Sequence, residues 1–252
     1  MVLTTNGIDL HYEVIGDGQP LLWLHGYFGI GADWQHIFGA PPDGFRIIAP
    51  DLRGHGQTTN PDGRFLFRDC ARDVLALVDH LQIDRIDAIG LSGGGIALLH
   101  LATMVPERVT AMVIVSAPPY FPDQARALQR QVSEAAISGA ERDQLRARHR
   151  HGDAQIAALF AHARGFADDR EDVRFSPDDL SAITAETLIV FGDRDPLYPA
   201  SMATELYQAI PRAYLWIVPN GGHGPVFGAH APRFVETSRA FLRGDWRSAA
   251  VV

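Results

Sequence analysis

The chain has 252 residues, 46% hydrophobic and 21% charged, enough for one globular unit that buries its own core without disulfides or a structural metal. All 22 basic residues are Arg and no Lys occurs, which excludes Schiff-base enzymes, Ser-Lys dyads and the Walker-A phosphate loop. The 30 acidic residues bring the formal charge to -8, so nucleic acid is not an expected partner.

From the N-terminus, residues 1–7 carry neither a basic segment nor an apolar run, so no signal peptide is expected. No stretch reaches about 18 uninterrupted apolar residues either, and the expectation is a cytoplasmic protein without a membrane span. Residues 3–5 and 10–14 flank Asn6-Gly7, a strong hairpin signal, which predicts that the sheet begins with antiparallel strands. Short runs rich in Leu, Ile and Val then recur at 21–24, 45–49, 86–91, 111–115, 188–191 and 213–218, separated by longer amphipathic stretches. Runs apolar on both faces that alternate with helices predict a mostly parallel sheet covered on both sides, an α/β architecture.

The spacing predicts a helix over 68–81, with Val74, Leu75, Val78 and Leu81 on one face, and a second over 95–105 that is apolar all round and therefore buried. The single cysteine, Cys70, cannot form an internal disulfide. It falls in an apolar register with Val74, Leu77 and Leu81 and reads as a buried, inert thiol. About 70 residues separate the run ending near Val115 from the one starting near Thr187, far more than a crossover helix needs. The Pro-rich opening after Ala117, the Arg-rich helical stretches and the acidic run at 168–172 predict a small helical cap at 118–183, inserted in a core formed by 1–117 and 184–252. Residues 248–252 read as a frayed tail.

The pattern Gly90-Leu91-Ser92-Gly93-Gly94 follows a strand run and opens the buried helix, the setting in which G-x-S-x-G means a nucleophile elbow. The turn is sharp enough to strain the Ser92 backbone, and small neighbours at Gly90 and Gly94 let strand and helix approach. Gly93 would offer its N–H at a helix N-terminus, where the dipole favours a developing oxyanion. A serine hydroxyl needs a base, and the base an orienting acid. Asp193 and Asp195 follow the run at 188–191, and His223 follows the run at 213–218. The order Ser, acid, His is that of one hydrolase type and differs from the chymotrypsin and subtilisin orders. All the candidates fall past the carboxyl ends of strands, where open parallel sheets build their sites. The loop His25-Gly26-Tyr27-Phe28-Gly29 offers the Tyr27 N–H as a second oxyanion donor.

Four motifs carry a resemblance to the α/β-hydrolase superfamily. They are His25-Gly26 with Trp34 downstream, Asp51-Leu52-Arg53-Gly54-His55-Gly56, Gly90 to Gly94, and Gly192-Asp193-Arg194-Asp195 with Gly222-His223. The chain is similar to the small capped carboxylesterase, haloperoxidase-like and ring-cleavage-product hydrolase members, over nearly everything outside the cap. The resemblance implies an α/β-hydrolase fold with helices on both faces of the sheet. It also implies a catalytic set of Ser92, Asp195 and His223, with Asp195 preferred because it stands three residues after Gly192, and oxyanion donors at Tyr27 and Gly93. The implied activity is that of a serine hydrolase on small carboxylic esters without cofactor or metal. Lactone or enol-lactone, carbon–carbon ring-cleavage-product and thioester hydrolysis, metal-free perhydrolysis, and a non-catalytic receptor on the same fold are the alternatives.

Phe28, Leu91, Tyr120, Phe121 and Phe227 neighbour these motifs and are candidates to line an apolar acyl or alcohol pocket. Asp51, Arg53 and His55 read as shaping a turn near the site, and His25 as a hydrogen-bonded loop histidine. His149 and His151 have a metal-like spacing, yet share a register with Arg142, Arg146 and Arg150 and are expected on a solvated face.

Overall fold

The computed structural model describes residues 1–246; the tail expected at 248–252 lies outside them. Asn6 and Gly7 both adopt positive φ, 47° and 76°, as a two-residue turn demands, and they join β1 (Val2–Thr5) to β2 (Ile8–Ile15) with Thr5 opposite Ile8. β2 then pairs antiparallel with β4 (Phe45–Pro50). From there the sheet is parallel through β3 (Gln19–Leu24), β5 (Ile86–Leu91), β6 (Val109–Val115), β7 (Glu186–Gly192) and β8 (Ala213–Val218). The order across the eight strands is β1-β2-β4-β3-β5-β6-β7-β8.

The apolar runs are covered on both faces because successive side chains enter different cores. In β3, Leu22 and Leu24 join the cluster built on α2 (Phe67–His80) and α3 (Gly93–Met104). Leu21 and Trp23 join the opposite cluster with α1 (Gln35–Phe38) and α9 (Ala231–Arg243). α2 turns Cys70, Val74, Leu77 and Val78 inward, whereas α3 is buried on nearly every side, as its composition requires. The strand at 213–218 departs from the expectation of two-sided cover. It is the edge of the sheet and leaves Leu215 exposed. α8 (Ala200–Ala209) packs beside β7 and β8.

Between β6 and β7 the chain forms α4 (Asp123–Gln131), α5 (Gly139–Arg148), α6 (Asp153–Gly165) and the short α7 (Pro177–Ser181). Its two ends are clamped together, since the Phe175 N–H donates to the Pro119 carbonyl and Tyr120 bridges Arg174. His149 corrects the expectation of a solvated face. α5 stops at Arg148, the register breaks, and His149 turns inward at 1% exposure, while His151 stays exposed. Among the described residues no helix is long and apolar enough to cross a membrane.

Candidate active site

β5 ends at Leu91 and α3 starts at Gly93, so the whole reversal of direction falls on Ser92. Its φ of 49° is a conformation that costs a non-glycine residue on the order of 1–3 kcal/mol. The Ser92 N–H donates to the Val115 carbonyl at 2.7 Å, which ties the turn to the neighbouring strand. The flanking glycines are dictated by space. A Cβ on Gly94 would stand 2.2 Å from the Leu24 carbonyl oxygen, and one on Gly90 would stand 2.7 Å from the Gly94 oxygen. α3 is thereby pressed against the end of β3, and the Tyr27 nitrogen lies 3.4 Å from the point where a Gly93 Cβ would be. The first N–H groups of a helix have no intrahelical acceptor, so this corner gathers donors.

The loop after β7 carries Asp195, whose buried carboxylate is held by two backbone donors: the Leu197 N–H at 2.8 Å and the Tyr198 N–H at 3.2 Å, both on Oδ1. Its other oxygen meets His223 Nδ1 at 2.9 Å, and His223 Nε2 lies 2.9 Å from Ser92 Oγ. A carboxylate only accepts, so Nδ1 carries the proton and donates it, leaving the Nε2 lone pair to accept from the Ser92 hydroxyl. The Tyr198 ring packs edge-on to the imidazole with centroids 5.4 Å apart. The loop after β8 is fastened by the Arg194 N–H donating to the Gly221 carbonyl and the Gly224 N–H donating to Ser116 Oγ. Asp193 faces solvent.

The surrounding loops rest on neutral histidines and on the carboxylates of Asp51 and Asp73. His25 Nε2 accepts the Leu52 N–H at 2.9 Å and its Nδ1–H donates to the Gly26 carbonyl, which fixes the loop bearing Tyr27. Burial holds His25 below the usual imidazole range and His55 well below it. His149 Nδ1 accepts the Gly56 N–H at 3.0 Å and its Nε2–H donates to the Phe28 carbonyl; burial pushes it down to about 4. Asp51 accepts the N–H groups of Gly31 and Gln57 and touches His11, and Arg53 forms a buried two-point pair with Asp73. Asp51, Arg53 and His25 therefore shape turns and lie outside the Ser92, Asp195, His223 relay.

A cavity of about 240 Å³ opens over Ser92 and His223. Of the expected lining residues, Phe28 and Phe121 are on its wall, and the expected oxyanion donors Tyr27 and Gly93 border it too. Three others are not. Leu91 turns into the core beneath the elbow, packed toward Gly26 and Gly224. Tyr120 is exposed and donates to Glu205, and Phe227 is exposed and covers Gly224. Sequence neighbours of a motif need not share its direction. The wall is completed by Phe67 and by residues far from any motif, chiefly Leu128, Gln129, Val132 and Phe166. The 3.6-residue period of α4 could have placed Gln129 with Ala125 on a buried face. No Asp, Glu or Arg side chain lines this cavity among the described residues. Nor does any group of three or more His, Cys, Asp or Glu among them stand close enough to hold a metal ion.

A family model for the alpha/beta hydrolase fold matches residues 19–150, more than half the chain, and the chain belongs to that family. It is 27% identical over 243 residues to a pimeloyl-acyl-carrier-protein methyl ester esterase of Nitrosomonas europaea, covering 86% of this chain and 93% of that one. It is 28% identical over 234 residues to the serine hydrolase BPHL of Mus musculus, covering 88% and 79%. Among solved structures, the meta-cleavage product hydrolase CumD of Pseudomonas fluorescens IP01 superposes with a TM-score of 0.78 at 22% identity, covering 97% of this chain and 98% of that one.

Proposed function

We propose that this chain is a serine hydrolase that cleaves small, neutral carboxylic esters through an acyl-enzyme. Ser92 Oγ attacks the acyl carbon as His223 Nε2 takes its proton. Asp195 keeps the imidazole in the required tautomer and stabilises the cation that forms. The N–H groups of Tyr27 and Gly93 hold the oxyanion, each such donor being worth about 2.7–4 kcal/mol of transition-state stabilisation. His223 then returns the proton to the leaving alcohol, and water deacylates the enzyme by the same relay. Residues 118–183 act as a cap that roofs the acyl pocket.

The observation that carries this reading is the continuous relay of two 2.9 Å contacts that ends on a strained serine at the floor of an apolar cavity. The same lining separates neutral esters from substrates with a free carboxylate, because an unpaired charge in such a wall costs several kcal/mol. The relatives named as an ester esterase and a serine hydrolase agree with it. Replacement Ser92→Ala is expected to abolish both hydrolysis of 4-nitrophenyl butyrate and covalent labelling by a fluorophosphonate. Turnover that survives in the variant would overturn the assignment.

A further inference from the structure

Nearly all of the cavity over Ser92 is hydrocarbon, and among its lining residues Gln129 is the one with a fully buried side-chain polar atom that has no hydrogen-bond partner among the described residues. It sits on the inward face of α4 with Ala125 and Arg126 and is 7% exposed. On the cavity wall its companions from the same stretch are Leu128 and Val132. Arg126 spends its donors on the carbonyls of Phe121, Ala167 and Asp169, which makes it a clamp within the β6–β7 connection. Gln129 clamps nothing in this way, and its Oε1 is buried without a hydrogen-bond partner among the described residues. A buried amide oxygen left unpaired lowers stability, and a leucine or methionine at 129 would fill the same space without that loss. The amide is therefore expected to find its partner when the cavity is filled. Oε1 has almost no accessible surface where it stands, so reaching a bound group takes a rotation about the soft terminal torsion, which exchanges the places of the oxygen and the NH₂; a hydroxyl satisfies either, because it donates and accepts.

We propose that Gln129 is a specificity-determining residue that hydrogen-bonds a hydroxyl on the substrate, so the preferred ester is a neutral, largely apolar one bearing a hydroxyl away from the scissile bond. This rests on the ester reading above and narrows it. A charged group in the same place is disfavoured, since no ionised partner lines the wall. An all-hydrocarbon chain would leave the amide unpaired in the complex as in the free protein.

The test compares 4-nitrophenyl hexanoate with its 3-hydroxy and 6-hydroxy analogues in the native protein and in Gln129→Leu, with Gln129→Met as a second variant should the first fold poorly. For at least one hydroxy ester, the kcat/KM advantage over hexanoate is expected to be about tenfold in the native protein and to fall to about unity in the variants. The loss should lie mainly in KM, and both variants should melt at a higher temperature than the native protein. An advantage that is the same in native and variant proteins would overturn the proposal while leaving the ester reading intact. If the native protein hydrolyses none of these esters, it is the ester reading that fails. Gln129 is then judged by thermal-shift titration with hexane-1,6-diol against hexan-1-ol: a diol preference confined to the native protein supports its role, and none overturns it.

Discussion

The carboxylate of Asp172 accepts the backbone N–H of Phe67 at 2.6 Å, across 105 residues of chain. Leu66 occupies the N-cap of α2 and has no side-chain oxygen to offer, so the orphan donors of that helix are satisfied from the distant β6–β7 connection. The Phe67 ring lines the cavity over Ser92, which makes the contact a link between stability and site shape. Replacement Asp172→Ala is expected to cost about 1–3 kcal/mol, the range for losing a cap and a buried acceptor, and to lower kcat/KM several-fold. Its ion-pair partner Arg68 is 37% exposed, and Arg68→Ala should cost less than about 1 kcal/mol. Urea unfolding of the two variants checks the ranking; equal losses would show that the ion pair, and not the cap, is what matters.

Acid should destabilise the fold through its buried histidines. Burial holds His25, His55 and His149 below 6.5 in the native state, His149 at about 4, whereas the unfolded chain titrates near 6.5. Between those values the unfolded chain binds protons that the native state refuses, so stability falls as pH falls, by up to about 1.4 kcal/mol per pH unit for each such group. Asp87, raised to about 6 by burial, acts in the opposite direction over part of this window. The contribution of one histidine is therefore read by difference. His149→Asn retains an acceptor for the Gly56 N–H but does not titrate there, and its unfolding free energy between pH 4.5 and 6.5 should have a visibly shallower slope. Parallel curves for native and variant proteins would refute this.

Asp172 and His149 also mark what the sequence could not convey. The sheet was legible because each strand run is an unbroken local pattern, and the Asn6-Gly7 turn because two adjacent positive φ angles narrow the choice of residues. Gly90, Ser92 and Gly94 were legible because strand, turn and helix are contiguous there, and His223 because it follows a readable strand; the strand at 188–191 left Asp193 and Asp195 both open, and only the family resemblance preferred Asp195. Asp172 and His149 act through partners 105 and 93 residues away, and nothing in their own neighbourhoods signals it. His149 misleads outright, since the arginine register around it ends one residue too early. The cavity wall was half legible for the same reason: Phe28 follows its motif into the pocket, while Tyr120 and Phe227 point away from theirs.

The proposed roles of the two aspartates after β7 separate cleanly by mutation. Asp195 has one oxygen on two backbone N–H groups and the other on His223, whereas Asp193 faces solvent. In Asp195→Asn the amide has one acceptor oxygen, and if that stays on the backbone donors its NH₂ meets Nδ1, forcing the imidazole into the wrong tautomer. A loss on the order of 10⁴ in kcat is expected. Asp193→Asn should stay within a few-fold of the native enzyme. Steady-state kinetics on one chromogenic ester decide it, and the opposite ranking would move the orienting role to Asp193.

Glycine sets the spacing between the acid loop and the histidine loop. A Cβ on Gly192 would stand 2.1 Å from the Gly221 carbonyl oxygen and 2.4 Å from that of Gly222, both backbone atoms with no rotamer by which to withdraw. Gly192 ends β7 and Gly221 lies two residues before His223, so one methyl group would push the imidazole away from both Asp195 and Ser92. Displacements of about 1 Å cost on the order of 10² in rate, and overpacking typically costs about 1–3 kcal/mol of stability. Gly192→Ala is therefore expected to lose at least that much activity and to melt earlier. Gly222 is the internal control: it sits in the same loop, beside His223, yet a Cβ there meets nothing within 4 Å. Gly222→Ala should keep near-native kcat/KM and melting temperature. Measuring both variants side by side distinguishes a spacing set by Gly192 from a general sensitivity of the loop, because only the first leaves Gly222→Ala unharmed.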